Sequence, residues 1–287
     1  MHYRRRQFAE DAVINVEPIA GSLGAEVSGL DLRTANAVTR EQILGLFREH
    51  LVLFFKEQTL TPPELVDVGR LFGEPADYPF IEGLTDAPQV IPIIKEAHER
   101  KNFGEGWHSD TTYSQVPPKA TLLYAVEVPT HGGDTLFANM VAAHDALSDG
   151  MQRLLAPLRA VNSSAKRRGG GRAAGNQYAS VKLKARDEVH EAVHPVARTH
   201  PDTGRRALYV NALHTARIDG CSAEESAPLL EFLYRHAVRP EFTCRYRWQR
   251  GTLAIWDNRT TQHFALNDYH GQRRAMWRLT IAGEPTD

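Results

Sequence analysis

Residues 256–278 read WDNRTTQHFALNDYHGQRRAMWR. The apolar run Thr252 to Trp256 enters this stretch as a strand, and a polar turn rich in Asn, Asp and Gly follows. His263 stands between them. Eleven residues later comes Arg274, then Met276 and Arg278. Even spacing puts these three on one face of a strand. Two arginines on an inward face are costly unless they meet anions. A planar guanidinium can hold a carboxylate through two parallel hydrogen bonds. The stretch therefore predicts a β core with an anion-binding interior.

The surrounding sequence agrees. Leu51 to Phe55 (LVLFF) is a short continuous apolar run, the pattern of a strand buried on both faces. Ala120 to Val128, Gly133 to Ala138 and Ala207 to Val210 also read as strands. Helices interrupt them. Thr39 with Gln42 predicts a capping box, as do Thr61 with Glu64 and Ser222 with Glu225. A helix pair is expected over about 141–158. Gly73 reads as a stop after Leu71-Phe72. Short strands with a few helices predict a mainly β fold, a β-sandwich or jelly roll under helical cover. No linker divides the chain, so 1–287 reads as one domain. Ser163 to Lys184 (SSAKRRGGGRAAGNQYASVKLK) has no period and is rich in Gly, Lys and Arg. It predicts a mobile surface loop over about 163–188, either idle or a lid whose charge attracts an anionic substrate.

Two metal motifs compete. His190-Glu191-Ala192-Val193-His194 matches the zinc protease signature H-E-x-x-H, and His200 stands where the longer pattern puts a third histidine. That motif needs both histidines on one helix. Pro195 breaks such a helix at once, and Ala197 stands where the long pattern requires glycine. The residues Pro195 to Val210 read instead as strand, tight turn, strand. The second motif is His108-Ser109-Asp110. With thirteen histidines, about one chance copy of H-x-D is expected, and His200-Pro201-Asp202 supplies it. On a strand, however, His108 and Asp110 share a face. Two imidazoles and one carboxylate on one side form the facial triad of non-haem Fe(II) oxygenases. The third ligand must come from a distant strand, and His263 fits.

With these residues in view, the chain resembles the taurine dioxygenase and 2,4-dichlorophenoxyacetate dioxygenase family. The resemblance rests on WHSD at 107–110, GGDTLFAN at 132–139, HPVARTHPDTG at 194–204 and the opening stretch at 256–278, with scattered matches from about residue 18. It implies a double-stranded β-helix (jelly-roll) core with flanking and inserted α-helices. It implies Fe(II), 2-oxoglutarate as co-substrate and O2, with ascorbate helpful in vitro. His108, Asp110 and His263 would be the iron ligands. Thr135 and Arg274 would hold the distal carboxylate of 2-oxoglutarate, and Arg278 would meet the anionic head group of the prime substrate. Charges balance: Fe(II), one carboxylate and two neutral histidines sum to +1, dianionic 2-oxoglutarate takes the sum to −1, and Arg274 restores zero. The implied reaction oxidatively decarboxylates 2-oxoglutarate to succinate and CO2 while hydroxylating a substrate carbon. Where that carbon bears a sulfonate, sulfate or ether oxygen, the product collapses with C–S or C–O cleavage. The carboxylate Asp110 argues against a halogenase.

The family's taurine pocket is not reproduced. Tyr78, Ile81, Gly104 and His214 occupy positions where the taurine enzyme has a histidine, a tyrosine, an asparagine and an aromatic residue. Tyr78, Gly104 and His214 predict a larger or differently shaped anionic substrate, with polar capacity on one wall. The class stays open among sulfonate, sulfate ester, aryloxyalkanoate and modified amino acid.

Net charge of −1 gives no electrostatic case for nucleic acid or an anionic membrane. No stretch approaches 18 apolar residues, and MHYRRRQFAED has no apolar run behind it, so neither a span nor a secretory signal is expected. Cys221 and Cys244 read as two reduced thiols of a cytoplasmic protein. The resemblance implies a homo-oligomer, a dimer or tetramer. A zinc hydrolase built on 190–194 and a non-catalytic binding protein on the same fold are the alternatives.

Overall fold

The computed structural model describes residues 14–78, 81–165 and 189–286. Its largest sheet has eight strands. β1 (Asn15–Pro18), β2 (Ala25–Ser28) and β3 (Val52–Phe55) lead to β14 (Leu253–Asp257), β6 (Ala120–Glu127) and β16 (Arg274–Ile281). β16 also pairs with β4 (Pro75–Ala76) and β5 (Ile91–Lys95). A facing sheet is formed by β7 (Thr135–Asn139) between β13 (Thr243–Tyr246) and β15 (Thr261–Ala265). β8 (Arg159–Ser163) pairs with β9 (Glu191–Pro195) and β12 (Thr215–Ile218), and β10 (Ala197–Thr199) forms a hairpin with β11 (Arg206–Leu208). This is the expected jelly roll: mainly β, with sheets that face each other rather than close into a barrel.

The run at 51–55 explains how the layers assemble. Phe54 points between the sheets, where it stacks on Tyr246 at 3.7 Å between ring centroids and meets Phe137 edge-on at 5.6 Å. Leu53 and Phe55 point the other way, into a second core with Ile43, Phe47 and Leu65. Those residues belong to helices α1 (Ala37–His50) and α2 (Pro62–Gly69), which cover the outer face of the large sheet. The strand reads as continuously apolar because both of its faces are buried.

Helix starts follow side-chain caps, with one correction. Thr61 with Glu64 caps α2 as a full capping box, and Ser222 with Glu225 does the same for α5 (Ala223–Ala237). The box expected at Thr39 and Gln42 does not form. α1 begins earlier, at Asn36, whose side chain accepts from the Thr39 amide at 2.9 Å. Asparagine fits that site because its short oxygen reaches the free amides of the first turn. The expected helix pair is α3 (Met140–Asp145) and α4 (Asp149–Leu155). From residue 166 on, the loop expected at 163–188 lies outside the described residues.

Candidate active site

Backbone pairing brings the two histidines together. His263 sits in β15, opposite Phe137 of β7. On its other side it forms an isolated bridge with His108, closed by two backbone hydrogen bonds: the His108 N–H donates to the His263 carbonyl at 3.1 Å, and the His263 N–H to the His108 carbonyl at 2.8 Å. Residues in such a reciprocal pair point their side chains to the same side. The ring centroids are 4.2 Å apart.

Asp110 arrives by a different route from the expected one. His108 is a single bridge residue rather than part of a strand, and a turn begins at Asp110. Thr111 lies in the left-handed region at φ 42°. The turn, not strand pleating, returns the carboxylate to the histidines. Asp110 Oδ1 lies 3.7 Å from His108 Nε2 and 3.8 Å from His263 Nε2. One ligand atom from each residue falls within 4.8 Å of the others, and all three side chains are buried. Among the described residues, no other group of three His, Cys, Asp or Glu side chains meets that spacing.

Hydrogen bonds aim these groups. His108 Nδ1 is 2.9 Å from the Gly106 carbonyl, which can only accept, so Nδ1 carries the proton and Nε2 offers its lone pair to the centre. Asp110 Oδ2 accepts from Thr121 Oγ1 at 2.7 Å. That hydroxyl accepts from Asn258 Nδ2 at 2.9 Å, and Asn258 Oδ1 accepts from Trp256 Nε1 at 3.0 Å. The relay fixes one carboxylate oxygen and leaves Oδ1 for the centre. The sequence reading missed Thr121, and Trp256 and Asn258 appeared there only as letters of a motif. Only their position beneath Asp110 assigns them a role.

The electrostatics suit a cation. Burial alone would raise the pKa of Asp110. Arg278, His263 and His108 overcome it and hold the carboxyl well below the usual range. Burial, with His108 beside it, holds the His263 pKa well below its ordinary value, so the ring stays neutral.

Arg274 and Arg278 both face this interior, as their even spacing predicted, and both are buried. Arg278 Nη2 lies 2.9 Å from Asp110 Oδ1, a charge contact in which neither Nη2 nor Nε of Arg278 has an aligned acceptor. The Arg278 guanidinium carbon is 4.9 Å from the centre of the Tyr78 ring. Among the described residues Arg274 has no acceptor at Nε or Nη2, and burial pushes its pKa below the ordinary arginine value. It lies against the Trp248 ring at 5.6 Å, and Trp248 Nε1 donates to Thr135 Oγ1 at 2.9 Å. Thr135 and Arg274 thus share one wall, with Trp248 as a third member that the sequence did not single out. Buried guanidinium N–H groups lacking acceptors, next to neutral imidazoles and one carboxylate, fit a divalent cation accompanied by an anion.

The remaining pocket residues also gather here. The His214 ring is 5.7 Å from that of His108 and 5.0 Å from Tyr113. Its Nδ1 lies 3.3 Å from Thr112 Oγ1. Gly104 has φ +86°, and a Cβ there would stand 3.5 Å from His108 Cε1. Glycine therefore keeps space open beside the Cε1 edge of that ring.

The rival motif is dispersed as Pro195 implied. Residues 191–195 form β9, not a helix. Both nitrogens of His194 are committed, Nδ1 to Thr286 Oγ1 at 2.6 Å and Nε2 to the Ser114 carbonyl at 3.0 Å.

Solved structures share the whole architecture. One is described as a putative alpha-ketoglutarate-dependent taurine dioxygenase from Burkholderia xenovorans; it has a TM-score of 0.81 at 34% identity, covering 95% of this chain and 94% of that one. AAD-2, solved with Mn(II) and N-oxalylglycine, has a TM-score of 0.77 at 29% identity, covering 96% of this chain and 99% of that one. Among curated relatives, the alpha-ketoglutarate-dependent sulfate ester dioxygenase of Pseudomonas putida is 35% identical, covering 94% of this chain and 90% of that protein. The alkylsulfatase of Acinetobacter baylyi is 33% identical, covering 95% and 86%. Fold and relatives together define a 2-oxoglutarate-dependent dioxygenase, an enzyme that uses Fe(II) and O2. Residues 15–280 match the taurine catabolism dioxygenase TauD, TfdA family, and the chain belongs to that family. No helix among the described residues is long and apolar enough to cross a membrane.

Proposed function

We propose that His108, Asp110 and His263 hold Fe(II), that Thr135 and Arg274 hold the distal carboxylate of 2-oxoglutarate, and that Arg278 receives the anionic head of the prime substrate. The observation that carries this reading is the buried His108–Asp110–His263 cluster with Arg278 against it. Iron bound there supplies the redox chemistry that couples decarboxylation of 2-oxoglutarate to oxidation of a substrate C–H bond. The chain's own residues orient and enclose. Gly106 and Thr121 aim the ligands. Trp256 and Phe137, with rings 4.7 and 6.2 Å from His263, exclude water from one side. Tyr78 steadies the Arg278 guanidinium while the substrate anion takes its vacant N–H groups.

Within the anionic substrates of the family, we assign this chain to alkyl sulfate esters, with alkanesulfonates as the neighbouring class. The relatives at 35% and 33% identity are a sulfate ester dioxygenase and an alkylsulfatase. Arg278 beside Tyr78 suits a tetrahedral monoanion, and the space left by Gly104 suits an alkyl chain. Hydroxylation of the carbon bearing the sulfate gives a hemiacetal sulfate, which collapses to an aldehyde and inorganic sulfate as 2-oxoglutarate becomes succinate and CO2. The test is succinate and sulfate release with Fe(II), ascorbate, 2-oxoglutarate and panels of alkyl sulfates, alkanesulfonates and aryloxyalkanoates. Matching yields of succinate and sulfate from an alkyl sulfate are expected. Succinate only with aryloxyalkanoates would overturn the substrate class, and no 2-oxoglutarate binding by the anaerobic iron protein would overturn the site. We also propose a cytoplasmic homo-oligomer, a dimer or tetramer. The unpaired thiols of Cys221 and Cys244 fit a reducing compartment, and light scattering tests the assembly.

A further inference from the structure

One buried cation has no role in the site described so far. Lys95 ends β5 and is 3% exposed. Among the described residues its Nζ has no hydrogen-bond partner and forms no ion pair. In the pairing of β5 with β16, Lys95 stands directly opposite Arg274, Ile93 opposite Met276 and Ile91 opposite Arg278. Directly opposed residues of antiparallel strands project to the same face, with Cβ atoms about 5 Å apart. Lys95 therefore extends into the same interior as both arginines. Its ammonium lies 4.1 Å from the centre of the Tyr269 ring. Tyr269 in turn packs against Gly133, two residues before Thr135; a Cβ at Gly133 would fall 3.2 Å from that ring.

The neighbouring carboxylates are used elsewhere. Glu96 binds Arg273, and Glu105 accepts from the Asn102 amide and from Asn267. Burial holds the Lys95 pKa below its ordinary value, with Glu99 and Glu105 pulling the other way. A cation–π contact offsets only part of the cost of desolvating an ammonium. Lys95 and Arg274 are two buried cations on paired strands; among the described residues Lys95 Nζ and Arg274 Nε and Nη2 have no acceptor. One anion between them satisfies both.

We propose that Lys95 is a co-substrate-binding residue whose ammonium shares the distal carboxylate of 2-oxoglutarate with Arg274. This rests on the pocket assignment made above. It adds a lysine from a different strand to the pair implied by the family resemblance, and it assigns Tyr269 to steadying that lysine.

The test measures binding of 2-oxoglutarate to the anaerobic Mn(II)-loaded protein by calorimetry, for wild type, Lys95→Met, Lys95→Gln and Lys95→Arg. The control ligand is 2-oxopentanoate, which has a methyl in place of the distal carboxylate. Loss of one charged hydrogen bond predicts about tenfold weaker 2-oxoglutarate binding in Lys95→Met and Lys95→Gln. Their affinity for 2-oxopentanoate and for Mn(II) should stay at the wild-type value, and Lys95→Arg should recover most of the loss. If either neutral variant folds and binds 2-oxoglutarate as wild type does, or weakens toward both keto acids equally, the proposal is wrong. If wild type with Mn(II) fails to bind 2-oxoglutarate at all, the pocket assignment itself falls, and the role of Lys95 with it.

Discussion

The chain contains two His-x-Asp pairs, His108-Ser109-Asp110 and His200-Pro201-Asp202, and they do opposite things. In the first, His108 Nδ1 donates to the Gly106 carbonyl, and the unprotonated Nε2 lies 3.7 Å from Asp110 Oδ1. In the second, His200 Nδ1 accepts from the Asp202 amide at 3.1 Å, and Nε2 donates to Asp257 Oδ2 at 3.0 Å. His200 thus has no lone pair left to give. Asp257 also binds Arg259, from Nε at 2.8 Å and Nη2 at 2.7 Å, and Asp202 meets Arg259 at 3.0 Å. That cluster is largely satisfied from within the chain. The first gathers one side-chain atom from each of His108, Asp110 and His263 within 4.8 Å of the others, with Arg278 Nη2 2.9 Å from Asp110 Oδ1. Identical motifs diverge because of which hydrogen-bonding group meets the Nδ1 side of each ring.

The comparison can be broken most directly by exchanging the two losses. His263→Ala should abolish stoichiometric Mn(II) binding and bring succinate formation to background, while His200→Ala should keep its metal; plasma emission spectrometry of the loaded proteins checks both. Metal loss from His200→Ala in a folded protein would erase the distinction. Next in size is Asp257→Asn, which leaves buried Arg259 without its main partner and should destabilise the fold by about 3–5 kcal/mol at neutral pH. The folded-state pKa of Asp257 lies below its ordinary 3.8, because Arg259 and His200 outweigh burial. Its contribution is therefore complete above about pH 4 and is lost as pH falls through the lowered value. Urea midpoints of wild type and Asp257→Asn should differ most near pH 7 and converge on strong acidification.

Arg274→Met should weaken 2-oxoglutarate binding by about 10- to 100-fold, with Mn(II) affinity retained, as expected for removing one or two charged hydrogen bonds; calorimetry with the Mn(II) protein measures it. The smallest effect is the most diagnostic of orientation. Thr121→Val removes the hydroxyl that fixes Asp110 Oδ2 and should lower metal affinity by about tenfold, the lower end for such outer partners. An unchanged Mn(II) titration would show that the turn at Thr111 alone positions the carboxylate.

Much of this was legible in the chain itself. Even spacing put Arg274 and Arg278 on one face, and both prove buried and inward. Pro195 excluded a helical zinc site, and residues 191–195 are a strand. Capping boxes at Thr61 and Ser222 were readable because their hydrogen bonds span only three residues. The cap of α1 was misplaced because Asn36 offers the same local chemistry one turn earlier. Asp110 was expected to share a strand face with His108, and a left-handed residue delivers it instead.

Local and periodic information determined the strands, the apolar layers and the residue types suited to iron, because a side chain's face follows from backbone period alone. Tertiary structure decided the rest. The bridge between His108 and His263 joins residues 155 positions apart, the Thr121–Asn258–Trp256 relay joins two strands, and Lys95 meets Arg274 only through strand register. Which nitrogen of a histidine keeps its lone pair, and which buried cation lacks an anion, depends on such distant partners. The two pairs share the His-x-Asp spacing, and their distant partners make them opposite as chemistry.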